Sequence, residues 1–337
     1  MRLKTGAAAV LAAAMGFGTL AQAETIQFAH FLPEQFPPNM AEKAFAEAFN
    51  AGTNGEFEIE FAFGGVMGGQ KEMLDFVANN IVGMASFPSN HYLSQFPGYE
   101  GFGVPMTYGT AEEVGELFQE AYDTLPKLRA SYDEQNVVPF MFRGLDPYVL
   151  LCNKPVTRIA DFQGLKVRTF GSAFPGIFEE LGAVAVNTQT SEIYEAMQRG
   201  TVDCAIFSRI AHMIYKMHEV SKYYIDFDFG AVASYLDYVN KDVYDGWTDD
   251  QRAAFHAASD KGVEVGNQVL AKLVAQSTEL FTTKLERLTI EDGDKIREMF
   301  PASQMLDDYV VQMAGIGASQ KEVADEVRAF LREKLGQ

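Results

Sequence analysis

The stretch that decides the fold is residues 159–202, which read IADFQGLKVRTFGSAFPGIFEELGAVAVNTQTSEIYEAMQRGTV. Short apolar runs alternate there with segments whose apolar residues recur at helical spacing. The pattern predicts strands at 165–169, 184–187 and 202–207 and helices at 172–181 and 191–199. Strands that alternate with helices indicate an α/β sheet, and such sheets bind ligands at the carboxyl ends of their strands.

The region before this stretch shows the same alternation. Residues 56–63 alternate strictly between apolar and polar side chains, which predicts a half-buried strand. Asn39 is placed to cap a helix that precedes this strand. Further strands are predicted at 25–30, 82–87 and 137–142, and a further helix at 70–79. The chain therefore carries two α/β units in succession.

One predicted helix is much longer than the others. Thr248 and Gln251 form a capping box, and the helix that they begin continues to about residue 284. At ~1.5 Å per residue it is ~50 Å long, which exceeds one small domain. We expect it to brace both units, which with their crossovers form two lobes around a cleft.

The composition excludes several classes of protein. The 337 residues include 27 Lys+Arg and 46 Asp+Glu, a net charge of −19, and 47% are hydrophobic. A chain this acidic lacks the basic face that nucleic acid requires, so no nucleic-acid partner is expected.

Two cysteines, Cys152 and Cys204, leave a single disulfide possible, and the sequence does not show whether they pair.

Residues 1–23 are predicted to be a secretory signal peptide. They contain Arg2 and Lys4, then an uncharged apolar run, then Ala21-Gln22-Ala23, whose small residues suit signal peptidase. The run is short and only weakly hydrophobic, which argues against the alternative of a membrane anchor. We therefore expect a mature protein in the periplasm.

The sequence offers no pattern typical of an active site. The five histidines lack metal-ligand spacing, and neither cysteine belongs to a CxxC pair. The loop at 64–69 matches neither a phosphate-binding nor a dinucleotide-binding glycine motif, and no GxSxG elbow is present. We therefore expect no catalytic residues, no metal, no cofactor and no enzymatic activity.

The same stretch resembles the periplasmic solute-binding subunits of TRAP transporters, the DctP type. The residues that carry the resemblance are Gly164, Leu165, Lys166, Val167, Arg168, Leu181, Gly182, Ala183, Ser191, Glu192, Ile193, Tyr194, Ala196, Gln198, Val202 and Asp203. The likeness extends in order over essentially the whole mature chain. It implies a receptor that closes on an organic acid and delivers it to the integral membrane subunits of an ion-gradient-driven permease.

The resemblance also implies a type II-like periplasmic-binding-protein fold, an α/β fold of two lobes with crossover strands and a long helix that spans both. The predicted first lobe comprises residues 24–145 and 232–272. The predicted second lobe comprises residues 146–231 and 273–337.

Arg168 matches the arginine that anchors the ligand carboxylate in this family. It ends an apolar strand, so its guanidinium is expected near the strand's carboxyl end, where a planar fork of donors binds a carboxylate through two hydrogen bonds. An ion pair between the lobes is the alternative. The other expected ligand contacts are Phe31, Phe87, Tyr148, Phe170, Thr190 and Phe207, with Arg209 as a possible second cation.

This sequence departs from the family pattern at its contact positions. Phe207 takes a position that usually holds Asn or Trp, and Tyr148 one that holds a second basic residue in some relatives. An aromatic cleft with one cation favours an organic acid with an apolar or aromatic body. A zwitterionic osmolyte, a C4-dicarboxylate and an exported enzyme are the remaining alternatives.

Overall fold

The structure is a computed structural model that describes residues 23–171, 173–188 and 192–336. The predicted signal peptide therefore lies outside the described residues, except for Ala23. The strands of the described part are β1 Glu24–His30, β2 Phe57–Ala62, β3 Met84–Phe87, β4 Val137–Phe140, β5 Gly144–Leu145, β6 Tyr148–Cys152, β7 Lys166–Thr169, β8 Val184–Asn187, β9 Cys204–Ser208, β10 Tyr223–Ile225, β11 Val232–Ala233, β12 Leu236–Asn240 and β13 Glu286–Leu288. Its α-helices are α1 Met40–Gly52, α2 Met73–Ala78, α3 Ala111–Thr124, α4 Pro126–Asp133, α5 Ala173–Glu180, α6 Ile193–Gln198, α7 Arg209–Ile214, α8 Lys241–Gly246, α9 Asp249–Lys284, α10 Gly293–Met299, α11 Ala302–Ile316 and α12 Ala318–Lys334.

Two sheets define two lobes, as the α/β prediction requires. The first lobe has the strand order β2-β1-β3-β12-β4 and the second has β13-β10-β6-β9-β7-β8. Between them, β5 and β11 pair antiparallel. These short strands belong to the first crossover, which joins β4 to β6, and to the second crossover, which joins β10 to β12. These two crossovers are therefore hydrogen-bonded to each other.

The long helix α9 begins and ends where the sequence predicts. The Thr248 side chain accepts the Gln251 backbone N–H at 3.3 Å, and Gln251 Oε1 accepts the Thr248 N–H at 2.8 Å. Phe255 packs into a first-lobe core with α1 and Trp247, whereas Phe281 packs into a second-lobe core with β6 and α6. The helix therefore spans both lobes.

The C-terminal helices differ from the predicted division of the chain. The prediction assigns residues 273–337 to the second lobe, but α11 and α12 pack on the first-lobe core through Leu306, Tyr309 and Val327. Their apolar faces complete the core that α3 and α4 cover only in part. The chain therefore crosses between the lobes once more, between α10 and α11.

Asn39 does not act as the predicted helix cap. No side-chain hydrogen bond caps α1 at this residue. Its Nδ2 instead donates to the Pro33 carbonyl at 2.8 Å and so fixes the loop that precedes the helix.

The two cysteines are joined by a disulfide. Cys152 of β6 and Cys204 of β9 face each other in antiparallel register, with Cα atoms 4.1 Å apart. The bond lies at the end of β6 opposite Tyr148, which lines the cavity between the lobes.

Within the described part of the chain, no helix has the length and apolar character needed to cross a membrane.

Candidate functional site

The carboxyl ends of strands from both lobes meet around a cavity of about 230 Å³. Six aromatic side chains line it, namely Phe31, Tyr99 and Tyr235 from the first lobe and crossover and Tyr148, Phe170 and Phe174 from the second lobe. A larger cavity of about 490 Å³ adjoins it and shares Glu100 and Ala173 with its wall. The position matches the rule that α/β sheets bind ligands beyond the carboxyl ends of their strands.

The second-lobe wall is a compact aromatic cluster. The ring centroids of Tyr148, Phe170 and Phe174 lie 5.2 to 5.4 Å from one another. Tyr148 begins β6, Phe170 directly follows β7, and Phe174 lies in the first turn of α5. Three separate elements thus contribute one apolar surface.

Arg168 lies directly behind this wall. Only 2% of its surface is exposed. Its Cζ is 5.0 Å from the ring centroid of Phe170 and 4.9 Å from that of Phe207, within the range of cation–π attraction. Nε donates to the Thr188 carbonyl at 3.2 Å and Nη1 to the Ile206 carbonyl at 3.1 Å. Burial lowers the pKa of Arg168 to about 10, so the side chain stays cationic at neutral pH.

Four of the predicted contact residues lie at the cavity or next to Arg168. Phe31, Tyr148 and Phe170 line the cavity. Phe207 lies one layer deeper with Arg168 and also stacks on Tyr215 at 5.8 Å. Thr190 is outside the described residues, so its predicted role stays a prediction.

Phe87 belongs to the first-lobe core instead of the cleft. Its side chain is fully buried and stacks on Tyr238 with ring centroids 4.2 Å apart, close to Tyr92 and Phe96. The whole of β3 is buried. A strand buried on both faces offers no polar alternation that would show which face looks toward the ligand. The next residue, Pro88, lines the cavity in its place.

Arg209 is not a second cation of this cavity. It forms an ion pair with Asp228, and its Nη1 donates to the Pro147 carbonyl at 3.2 Å. Its side chain borders a separate cavity of about 450 Å³ beside α9, together with Asp146 and Asp226. The predicted cation is thus already paired with an acidic residue of the second crossover.

Three of the lining aromatic residues were not among the predicted contacts. Tyr99 begins a short 3-10 helix at Tyr99–Gly103, Phe174 lies in α5 and Tyr235 ends the second crossover. The position of Tyr235 directly before the apolar strand β12 was the available signal. Glu100 adds a carboxyl group to the same wall.

Known proteins match this chain over most of its length. The C4-dicarboxylate-binding periplasmic protein DctP of Rhodobacter capsulatus is 25% identical over 85% of this chain and 86% of its own. A TRAP periplasmic solute binding protein from Desulfovibrio salexigens, in an open complex, superposes with a TM-score of 0.78 at 18% identity, over 93% of this chain and 97% of that one. A TRAP solute binding protein from Rhodoferax ferrireducens, in complex with copurified benzoate, superposes with a TM-score of 0.73 at 20% identity, over 94% of this chain and 100% of that one.

The family model of bacterial extracellular solute-binding proteins, family 7 (DctP), matches residues 28–305. This range contains both crossovers, the long helix and both sheets except for the first four residues of β1. The two-lobed fold agrees with that of the TRAP solute-binding structures. The chain therefore belongs to family 7 of the bacterial extracellular solute-binding proteins.

Proposed function

We propose that this protein is the periplasmic receptor of a TRAP transporter and binds a small organic acid with one carboxylate and an apolar or aromatic body. It passes the ligand to the integral membrane subunits of the permease and carries out no chemistry on it. The observation that carries the proposal is the buried Arg168 guanidinium behind the aromatic wall of the interlobe cavity. The receptor is exported by the signal peptide at 1–23.

The electrostatics of Arg168 favour an anionic ligand. Burial lowers the pKa of Arg168 to about 10, and the guanidinium keeps its charge at neutral pH. The planar fork of a cationic arginine would bind the carboxylate of a ligand that reaches past Phe170 through paired hydrogen bonds and would fix its orientation.

The walls of the cavity favour an apolar body of limited size. A volume of about 230 Å³ is below the roughly 300–1,000 Å³ of typical ligand sites, so a small molecule fits best. Burial of the apolar surface of a ligand against these rings contributes about 25 cal/mol per Å² to the binding free energy. Among the described residues that line the cavity, none is a lysine or arginine that would pair with a second carboxylate. The carboxylates named for the relatives above, a C4-dicarboxylate and benzoate, agree with an organic acid as the class of ligand.

A zwitterion is the second candidate, and Glu100 favours it. Its carboxyl group shares the wall with six aromatic rings, a combination that attracts a cationic group through charge and cation–π contacts. Such a ligand would place its carboxylate toward Arg168 and its cationic end toward the first lobe.

The test is a comparison of ligands. Mass spectrometry of small molecules released from the denatured, freshly purified protein identifies any copurified acid. A thermal-shift panel then compares benzoate, succinate, galacturonate and glycine betaine at equal concentration, since a ligand raises the melting temperature by mass action. We expect benzoate to give the largest shift. A larger shift with succinate would contradict the aromatic monocarboxylate, and one with glycine betaine would establish the zwitterion.

Two controls address the rest of the proposal. The bound acid should be recovered unchanged after long incubation with the protein, and its conversion would show an enzyme. N-terminal sequencing of the protein exported from a bacterial host should begin at Glu24.

A further inference from the structure

A cluster of buried charged side chains lies beneath the first-lobe wall of the cavity. It consists of His30 at the end of β1, Glu42 of α1, Arg143 of the first crossover and Asp237 of β12, all of them buried. Nη2 of Arg143 donates to Glu42 Oε1 at 2.6 Å and to Asp237 Oδ2 at 2.8 Å. One guanidinium nitrogen therefore bridges two carboxyl groups from different elements.

This cluster supports an arginine better than a metal ion. His30, Glu42 and Asp237 offer ligand atoms within 4.8 Å of one another, a spacing that also suits a cation. Nη2 of Arg143 already holds the position between the two carboxyl groups. A metal there would meet a buried positive charge at contact distance, which strongly disfavours it.

The cluster supports two of the rings that line the cavity. The Cζ of Arg143 lies 5.0 Å from the ring centroid of Tyr235. The His30 ring stacks on Phe31 at 5.4 Å with an interplanar angle of 10°. Phe31 and Tyr235 meet edge to face at 5.4 Å and form the first-lobe wall together with Tyr99. Two of the three rings of this wall thus rest on members of the cluster.

Arg143 also joins the two crossovers. It belongs to the first crossover, whereas Tyr235 lies at the end of the second, directly before β12. The Ser234 N–H donates to the Arg143 carbonyl at 3.0 Å, beside the side-chain contact with Asp237. Gly266 of α9 lies against the arginine stem, since a Cβ there would be 3.4 Å from Arg143 Cδ, an ordinary contact distance. If one lobe rotates against the other, the two crossovers that Arg143 connects must change conformation.

The charge of the cluster follows from its hydrogen bonds. The Leu32 N–H donates to Nδ1 of His30 at 3.0 Å, so that nitrogen carries no proton and the ring is neutral. Its Nε2 faces Glu42 Oε1 at 3.6 Å. With Arg143 cationic, two ionised carboxyl groups would leave one uncompensated negative charge in the core, which is costly. One carboxyl group must therefore hold a proton.

Asp237 is the carboxyl group that holds it. Burial works to raise the pKa of Glu42, but the charge of Arg143 and hydrogen bonding from His30 and Arg143 outweigh it and lower that pKa to about 2. Burial and the charge of Glu42 raise the pKa of Asp237 well above its ordinary value. The remaining polar groups that face the carboxyl of Asp237 are Ser86, its register partner on β3, and the phenol of Tyr235.

We propose that Arg143 is a positioning residue of the binding site, which holds Tyr235 and Phe31 in the first-lobe wall and ties the two crossovers together through its hydrogen bonds to Glu42 and Asp237. This inference rests on the proposed function, because it assumes that the cavity receives the ligand. The two carboxyl groups that accept from Nη2 of Arg143 have different roles. Glu42 supplies negative charge, and Asp237 supplies a neutral hydrogen-bond acceptor of the right shape.

The binding test compares four variants with benzoate as the probe, measured by calorimetry. Asp237→Asn imitates the protonated carboxyl and should stay within about threefold of wild-type affinity, whereas Glu42→Gln and Arg143→Met should lose tenfold or more. The matched control is Arg129→Met, which removes a half-exposed first-lobe arginine whose Cζ lies 5.3 Å from the ring of Tyr122, and its affinity should not change. Equal losses in Asp237→Asn and Glu42→Gln would overturn the charge assignment.

Two readouts need no ligand and separate this proposal from the proposed function. Hydrogen exchange at residues 231–237 should be faster in Arg143→Met than in wild type and unchanged in Arg129→Met. A carboxyl group with a raised pKa stabilises the fold below its unfolded pKa and loses this effect as the pH rises through its folded pKa, so the fall in melting temperature as the pH rises from about 4 should be smaller in Asp237→Asn. Unchanged exchange, or an unchanged fall in melting temperature with rising pH, would refute the positioning role even if benzoate binds.

A conservative variant covers the case in which Arg143→Met fails to fold. Arg143→Lys keeps the charge but cannot stack its head on Tyr235 as a plane or bridge two carboxyl groups with the same geometry. It should fold, exchange faster at 231–237 and bind benzoate several-fold more weakly. Wild-type exchange and affinity in this variant would overturn the proposal. If wild type binds no benzoate while exchange and pH respond as expected, the ligand assignment fails and the role of the cluster in the crossovers stands.

Discussion

Two buried arginines stand behind the two walls of the cavity, and they differ in what surrounds them. Arg143 lies 5.0 Å from the ring of Tyr235, and Arg168 lies 5.0 Å from the ring of Phe170. Glu42 and Asp237 outweigh the burial of Arg143 and raise its pKa, whereas burial lowers the pKa of Arg168 to about 10. The same side chain with the same stacking is thus electrostatically satisfied by carboxyl groups in one lobe and disfavoured by burial in the other.

The different surroundings of the two arginines indicate on which side of the cavity an anionic ligand group would bind. At Arg143 the protein supplies its own carboxyl groups, so the first-lobe wall is set before any ligand arrives. At Arg168 the described hydrogen bonds to the Thr188 and Ile206 carbonyls orient the guanidinium behind the cavity wall. We expect a ligand carboxylate to accept hydrogen bonds from this guanidinium, as Glu42 accepts one from Arg143.

The second lobe contains the disulfide, and removing this bond should have the largest effect on stability. The double variant Cys152→Ala, Cys204→Ala opens a loop with a sequence separation of 52 and should lower the free energy of unfolding by about 2–4 kcal/mol. Urea denaturation measures the loss. Benzoate affinity should stay near wild type, because the bond lies at the far end of β6 from Tyr148. A loss of affinity as large as the loss of stability would show that the second-lobe wall depends on the bond.

Replacing Arg168 tests the anion side of the comparison. Arg168→Lys keeps the charge but loses the planar fork and the stacking between Phe170 and Phe207, so benzoate binding should weaken by about 1.5–3 kcal/mol, or roughly 10–150-fold. Isothermal calorimetry measures the change, with the exposed Arg199→Lys as control. Wild-type affinity in Arg168→Lys would remove this residue from the site.

A buried histidine makes the second lobe sensitive to acid. Burial lowers the pKa of His212 to about 3, and Arg168 and Arg209 act in the same direction. The unfolded chain takes up the proton below its ordinary pKa near 6.5 while the folded protein does not, so stability falls as the pH falls from 7 toward 3. Between pH 7 and pH 5 this group accounts for about 2 kcal/mol.

Denaturant unfolding at pH 7 and pH 5 measures this loss. His212→Gln should show a smaller difference between the two pH values than wild type, whereas His256→Gln, on the exposed side of α9, should show the wild-type difference. Parallel curves for wild type and His212→Gln would contradict the neutral buried imidazole.

The sequence predicted best what local chemistry determines. The capping box at Thr248 and the strict alternation at 56–63 gave the start of α9 and the position of β2, because both depend on residues close in the chain. Arg168 was predicted as the carboxylate anchor from its place at the end of an apolar strand and from the family resemblance, and β7 ends one residue after it, at Thr169. Its contact with a ligand stays a prediction. The fold class and the family followed from such elements.

Contacts between distant segments escaped prediction for physical reasons. The apolar stripes of α11 and α12 show that these helices pack on something, but not that the first-lobe core is what they cover. Arg209 meets Asp228, which lies 19 residues further along the chain and is brought near by the return of β10. The bridging of Glu42 and Asp237 by Arg143 joins residues about 100 positions apart, and no spacing rule identifies such a set.

The smallest expected effect separates a cavity ring from a core ring. Phe170→Leu should weaken benzoate binding by about 0.5–1.5 kcal/mol, because it removes the ring that stacks on Tyr148 and lies between Arg168 and the cavity. Phe87→Leu is the matched control, since its ring packs on Tyr238 in the core. It should lower the free energy of unfolding by about 1 kcal/mol and leave affinity unchanged. Calorimetry and urea denaturation on both variants should therefore give opposite patterns. If Phe87→Leu weakened binding as much as Phe170→Leu, the wall of the cavity would extend into the first-lobe core, and Phe87 would return as a ligand contact.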